Sequence, residues 1–375
     1  MTLEEIRCEI DGIDAQLLPL FLRRMECAGQ VAAAKREAGL PVLNEERERQ
    51  ILDGAAKGAG EYGAEASIFF STLMTLSRGA QSRLLGAGGE LREAVRNAFP
   101  SLPRADTAAC LGQSGSFSHE ALRYLCPQAA PLFCGDFPSV FEAVAVGKAR
   151  VGVLPIENSS AGSVGEVYDL MLSYRFSILG ALGLPVRHCL ASSEADLAAV
   201  RTVYSHPQAL RQCSEFLAAH GWQILPCSST SGAAEAATAP GTAAVCSRRA
   251  ARERGLHILA EEIQNVSGNR TRFLAVGKKM ALTPDADKIS VCFALPHRAG
   301  TLTGVLTRFA AAGLNLTKIE SRPIPGKTFE YDFYLDFAGS VRDAGTLDLL
   351  CALHDELPRF TFLGNYRELP EPPDE

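Results

Sequence analysis

Six apolar residues near the start of the chain constrain what it can fold into. Leu3, Ile6, Ile10, Ile13, Leu17 and Leu20 recur at alternating three- and four-residue steps, the spacing of a helix that lays one seam along another helix. Cys27, Val31 and Ala34 prolong the pattern to "GLP" at 39–41. The result is a helix much longer than the globular norm, which cannot bury its stripe alone. A helical bundle or a helical dimer is therefore expected. Pro19 conflicts with the pattern, since an interior proline costs a helix about 3 kcal/mol and usually kinks it. A second helix is expected from near Asn44 and a third from about Ala66 to Leu85, parted by the breaker "GAGEYGAE".

After a stretch that reads as a linker, "GAGGELREAVRNAFPSLPRAD" (86–106), the period changes. Short apolar runs such as "VGVLPI", "TVYS" and "AAVCS" alternate with alanine-rich helical stretches, which predicts an α/β domain with a largely parallel sheet. From about Lys288 a third texture begins. Strand "KISVCFAL", helix 301–312, strand "NLTKIESRPI", turn "PGK", strand "FEYDFYLDF", helix 341–356 and strand "FTFLGNY" follow one another. This βαββαβ order is the ferredoxin-like arrangement. In the long strand Phe329, Tyr331, Phe333, Leu335 and Phe337 alternate with polar residues. Three domains are expected: 1–88, 106–283 and 286–367.

Composition narrows the function. With 47% hydrophobic and 21% charged residues and a net charge of −6, no nucleic-acid or membrane partner is indicated. The acidic start has no signal-peptide apolar block, so a cytoplasmic location is expected. The eleven cysteines are scattered without a Cys-x-x-Cys pair, and no two of the seven histidines have zinc spacing. Neither metal nor cofactor is expected.

One residue breaks the heptad seam. Counting on from Leu17 and Leu20, the next position is Arg24, a cation on an apolar stripe, which is expensive unless something negative meets it. Lys35 lies three turns further at nearly the same angle. Arg7 sits about a quarter turn or more away and suits a site on a partner helix better. "NEERERQ" adds Arg47 and Glu48, and Ser77 and Gln81 make an i,i+4 polar pair. Ordinary salt bridges on a solvated face are the bland alternative.

In order and approximate spacing, Arg7, Arg24, Lys35, Asn44, Arg47, Glu48, Ser77 and Gln81 resemble the active site of the all-helical chorismate mutases. The resemblance implies three helices intertwined in a homodimer, with Arg7 serving the partner's site. It also implies a pericyclic rearrangement of chorismate to prephenate. Arg7, Arg24 and Arg47 would hold the two carboxylates, and Lys35 and Gln81 would face the ether oxygen, where charge develops. Glu48 would accept from the substrate hydroxyl. Such electrostatics can supply much of the about 8 kcal/mol that a millionfold acceleration demands. Asn44 stands where an aspartate is familiar and can still hydrogen-bond.

In the middle of the chain, polar residues gather where apolar strands stop: Glu157, Asn158, Ser159 and Ser160; Ser205, His206 and Gln208; Ser229, Thr230 and Ser231; Ser116 and Ser118. Strand ends that lead into helix N-termini form the usual ligand crevice of an open α/β sheet. Each hydroxyl alone reads equally as an N-cap, and His206 as a turn stabiliser. Together with "NRTRF" (Asn269–Phe273), the stretches "GSFSH", "PIENS", "YSHPQAL" and "STSGAA" resemble prephenate dehydratase over about 106–283. Gln113 replaces a usual proline. The family has two α/β lobes with substrate between them. The resemblance makes Thr271 the donor to a departing hydroxide as prephenate becomes phenylpyruvate. Arg272, Asn158 and the hydroxyl clusters would hold the keto-acid arm, and Phe273 would exclude water.

"ESRP" (Glu320, Ser321, Arg322, Pro323), after "NLTKI" with Asn315, resembles the ACT domain that follows this dehydratase. The order of the three regions resembles the bifunctional P-proteins of phenylalanine biosynthesis. That implies L-phenylalanine as effector, held by Gly300, Thr301 and Leu302 at the helix start and by "ESRP". Thr301 and Thr303 depart from the alanine and larger apolar residue often seen there. A purely structural module, an arogenate-preferring dehydratase and a catalytically silent two-lobed sensor are the alternatives.

Overall fold

A computed structural model describes residues 1–227, 229–324, 326–327 and 330–372. The chain divides into two compact units. One joins Met1–Asn97 to Ile289–Phe362, and the other joins Ala98–Lys288 to the residues from Leu363 onward.

In the first unit, the opening helix Leu3–Ala38 begins in a capping box. Thr2 Oγ1 accepts from Glu5 N at 3.2 Å and Glu5 Oε2 accepts from Thr2 N at 2.6 Å, which satisfies two orphan donors reciprocally. It stays α-helical across Pro19. Ala15, whose carbonyl loses its partner there, is exposed, so water can replace the missing bond. Only Ala28 and Ala32 of this helix are buried. Ile6, Ile10, Ile13 and Leu17 stand 41–51% exposed, an apolar stripe left uncovered among the described residues. Helices Glu45–Gly58 and Gly63–Leu85 complete the layer.

The expected linker contains a helix, Gly89–Arg96. Leu91 is its buried anchor, and Arg92 Nη2 donates to Asp348 Oδ1 at 2.5 Å. A short amphipathic segment of this kind gains helicity from tertiary packing, which local composition does not show. The C-terminal strands lie in the order Leu316–Pro323, Tyr331–Ala338, Lys288–Ala294, Arg359–Tyr366, with helices Thr301–Ala311 and Ala344–Glu356 between them in sequence. The chain order is thus βαββαβ. Phe329 of the expected alternation lies outside the described residues. The acidic face of the third strand is buried too: Asp336 Oδ1 accepts from Ser290 Oγ at 2.5 Å, and Asp332 pairs with Arg359.

The second unit has two lobes, each with its own core. The first lobe's main path runs Glu368–Leu369, Ser177–Pro185, Arg270–Gly277, Val151–Asn158, Thr107–Leu111, Ala130–Cys134. The expectation of a largely parallel sheet needs correction, because Arg270–Gly277 runs antiparallel to both its neighbours. It is the strand by which the chain returns from the second lobe, whose sheet is also mixed. The outgoing and returning strands sit side by side, with Val186 N donating to Asn269 O at 2.8 Å. Where the lobes meet, Ser247 Oγ donates to Gly115 O at 2.8 Å. A Cβ on Gly115 would stand 2.7 Å from Ala250 Cα, and φ is +81°, so only glycine fits there.

Candidate active sites

In the helical layer, Arg24 is half-buried and reaches the third helix. Its Nη1 donates to Ser77 Oγ at 2.6 Å and to Leu73 O at 3.2 Å. Ser77 and Gln81 are buried on the same face, and Gln81 Oε1 has no hydrogen-bond partner among the described residues. Lys35 donates to Val42 O. Burial holds the Lys35 ammonium below the usual lysine pKa, opposed by the nearby Glu48 carboxylate. Asn44 caps the second helix, its Oδ1 accepting from Arg47 N at 3.0 Å. Arg47 is exposed and donates to Gln50 Oε1 at 3.3 Å. Arg7 is exposed on the opening helix. Sequence reasoning missed Arg78, which pairs with Glu48 and lies 3.6 Å from Glu356. It precedes Gln81 by three residues, but only the fold brings it to Glu48 and Glu356.

In the second unit, "NRTRF" begins the central strand of the first lobe. Register places Thr271 opposite Asn158 and Arg272 opposite Glu157. Asn158 Nδ2 donates to Thr271 Oγ1 and to Asn269 Oδ1, both at 2.9 Å. Its Oδ1 accepts from Ser160 N at 3.0 Å and Ala161 N at 2.9 Å, which fixes the amide's orientation. Asn269 Oδ1 also accepts from Ser159 Oγ at 3.3 Å and Ser160 Oγ at 3.1 Å. Its Nδ2 is buried without a partner among the described residues. Thr271 Oγ1 thus accepts from Asn158 and keeps its own proton available for donation.

Arg272, the next residue on the strand, projects differently. Its Nε donates to Glu368 Oε1 at 2.7 Å, its Nη2 to Tyr366 Oη at 2.8 Å, and Nη1 lies 3.6 Å from Glu157 Oε1. Phe273 is buried in the first lobe's core. In the second lobe, Ser205 Oγ donates to Val245 O at 2.6 Å. His206 Nδ1 caps the following helix by accepting from Gln208 N at 3.2 Å. Ser229 caps the helix that Thr230 opens, and Ser231 is buried within it. Adjacent parallel strands Thr202–Ser205 and Gln223–Pro226 carry His206 and the Ser229–Ser231 turn beyond their carboxyl ends, as expected of a ligand crevice.

Residues 108–281 match the family model "Prephenate dehydratase", and residues 6–82 match "Chorismate mutase type II". The bifunctional chorismate mutase/prephenate dehydratase of Escherichia coli K12 is 32% identical over 96% of this chain and 95% of its own. The chain belongs to the bifunctional chorismate mutase/prephenate dehydratases. An Arabidopsis thaliana relative, arogenate dehydratase/prephenate dehydratase 2, is 37% identical over 68% of this chain and 71% of its own. A solved structure, prephenate dehydratase from Arthrobacter aurescens in complex with L-Phe, covers 70% of this chain and 90% of its own. It shares 31% identity at a TM-score of 0.63.

In the C-terminal module, a cavity of about 200 Å³ is lined by His297, Gly300, Thr301, Leu302, Tyr331 and Phe333, among others. Gly300 caps the helix with φ +82°, and Thr301 Oγ1 donates to Arg298 O at 3.0 Å. Ser321 and Pro323 pair with Phe333 and Tyr331, and Glu320 and Arg322 with Tyr334 and Asp332, from the sheet's edge strand. Asn315 O accepts from Ala338 N at 3.0 Å. Among the described residues no helix is long and apolar enough to cross a membrane, and no group of acids, histidines and cysteines could hold a metal ion.

Proposed function

We propose that the chain performs two consecutive steps of phenylalanine biosynthesis, at sites formed by the residues described above. In the helical site Arg24 and Arg47, with Arg7 of a partner subunit, hold the two carboxylates of chorismate. Lys35 and Gln81 face its ether oxygen, Glu48 accepts from its hydroxyl, and Ser77 and Asn44 orient Arg24 and the second helix. The uncovered stripe on the opening helix supports a homodimer, because so much exposed apolar surface in one line is unusual for a monomer. In the second unit Thr271 donates a hydrogen bond to the departing hydroxide of prephenate. Asn158 strengthens that donor by occupying its lone pair. The free Nδ2 of Asn269 and the His206 and Thr230 turns hold the keto-acid arm. Arg272 positions the strand through Glu157 and Glu368.

The observation that carries this reading is the network in which Asn158 donates to both Thr271 and Asn269, leaving, among the described residues, one hydroxyl proton and one amide donor unspent. Adding chorismate to the pure protein tests it. Prephenate and then phenylpyruvate should form, and formation of neither would overturn it. The arogenate dehydratase relative favours a second reading, in which arogenate is the better dehydratase substrate, and kcat/KM for the two substrates decides between them. The C-terminal module fits an ACT domain that binds L-phenylalanine at the Gly300 cavity and the neighbouring "ESRP" strand. Calorimetry with phenylalanine on the wild type and Gly300→Val, alongside dehydratase rates, tests this. Absence of binding at millimolar phenylalanine, with unchanged rates, would leave the module a structural part.

A further inference from the structure

The third helix has two polar faces. Ser77 and Gln81 share one. Thr75, Gly79 and Arg83, at four-residue steps, share another that lies about 200° round the axis. The second face borders a cavity of about 260 Å³ whose walls include Phe21, Met25, Leu76, Arg308, Leu349 and Ala352. Arg308 is only 6% exposed. Its Nη1 donates to Glu356 Oε2 at 2.7 Å, but its Nε and Nη2 are buried without a hydrogen-bond partner among the described residues. Guanidinium donors left so are rare and expensive.

Arg83 stands exposed at the edge of the same space. A methyl group placed on Gly79 would lie 4.0 Å from both Arg308 Nε and Arg83 Nη1. Two guanidinium groups therefore converge on the room that Gly79 leaves. The local charges do not balance: among the described residues Arg78 and Arg308 pair with Glu48 and Glu356 and Arg83 has no ion pair, three cations against two carboxylates. Asp348, which also lines the cavity, is already paired with Arg92 at 2.5 Å.

We propose that this cavity is a binding site for a small monocarboxylate with an apolar body. Its carboxylate bridges Arg308 and Arg83 over Gly79, and its body lies on Phe21, Met25 and Leu349. The charge count disfavours an α-amino acid, because among the described residues the one carboxylate in the lining, Asp348, is already paired. This separates the site from the proposed phenylalanine cavity at Gly300. Met25 in the wall of the proposed site also touches Ser77 Oγ at 3.8 Å, but the anchors Arg308 and Arg83 are not among the residues assigned to the mutase substrate.

The test is titration calorimetry of the full-length protein with 3-phenylpropionate, comparing wild type with Gly79→Leu, which fills the cavity, and Arg83→Gln, an exposed change. Relative to wild type, Gly79→Leu should lose one binding event per chain and keep any others. Arg83→Gln should weaken that same event about tenfold, the usual effect of removing one charge-assisted contact. Retained mutase and dehydratase activity shows that both variants fold. Identical titrations for wild type and Gly79→Leu would overturn the proposal. So would an event that acetate reproduces at equal affinity, which would show that the apolar wall contributes nothing.

Discussion

The two proposed catalytic sites are built on opposite plans. The dehydratase site is wired within one chain. Asn158 is held by two backbone amides, in turn holds Thr271 and Asn269, and leaves little freedom to either. The mutase site is a set of cations on helices, two of them exposed, beside an apolar stripe that no described residue covers. Leaving-group departure needs one donor placed to within tenths of an ångström, and a strand ladder supplies that. Compacting a dianion needs several charges around a volume, which a helical bundle supplies when a second copy closes it.

The strongest way to break this comparison is to delete each centre. Thr271→Ala should lower dehydratase kcat by about 10²–10³-fold, the usual cost of removing a transition-state donor, while mutase rates hold. Arg24→Ala should do the reverse on a similar scale. Loss of both activities in a folded dimeric Arg24→Ala would contradict the two-site reading. Next in size, mixing Arg7→Ala with Arg24→Ala protomers should return mutase activity toward half the wild-type value, since one site of a mixed dimer then carries both lesions and the other none. No recovery after verified subunit exchange would mean that each chain builds its own site.

A smaller effect concerns pH. In the proposed site Lys35 acts as the ammonium ion, and burial lowers its pKa, so it loses its proton at a lower pH than an ordinary lysine. The alkaline limb of mutase kcat/KM should therefore fall below pH 10.5, the unperturbed lysine value. Glu48 favours the charged form, so Glu48→Gln should move the limb lower still; an upward move would reject the pairing. The smallest effect is on stability. Asn44→Ala removes an N-cap and should cost about 1 kcal/mol in denaturant unfolding, whereas Asn44→Asp should be neutral or slightly stabilising at the helix N-terminus.

Helical periodicity made Arg24 and Lys35 legible on the opening helix and Ser77 and Gln81 on the third, because about 3.6 residues per turn project each pair to one side of its helix. Arg78 escaped because its meaning depends on Glu356, nearly three hundred residues away. The dehydratase cluster was legible as strand ends rich in side-chain oxygens. The roles within it were not, because neighbouring strand residues project to opposite faces and only the register shows that Arg272 is held by Glu157, Glu368 and Tyr366. The two-residue strand Glu368–Leu369 leaves no periodic trace at all. The capping reading holds for Ser116, Ser229 and His206, whose caps also place those side chains at the strand ends.

The return of Arg270–Gly277 to the middle of the first lobe's sheet has a consequence for how the protein is made. Val151–Asn158 and Ser177–Pro185 leave the ribosome with a strand-wide gap between them, and the filler is not synthesised until the whole second lobe has emerged. At bacterial and eukaryotic elongation rates of about 5–20 residues per second, that wait lasts roughly 5–20 s. Through it, two strands rich in buried apolar residues keep open hydrogen-bonding edges, the surfaces most prone to pairing with a neighbouring nascent chain. The segment that carries the proposed catalytic threonine is also the one that ends this exposure.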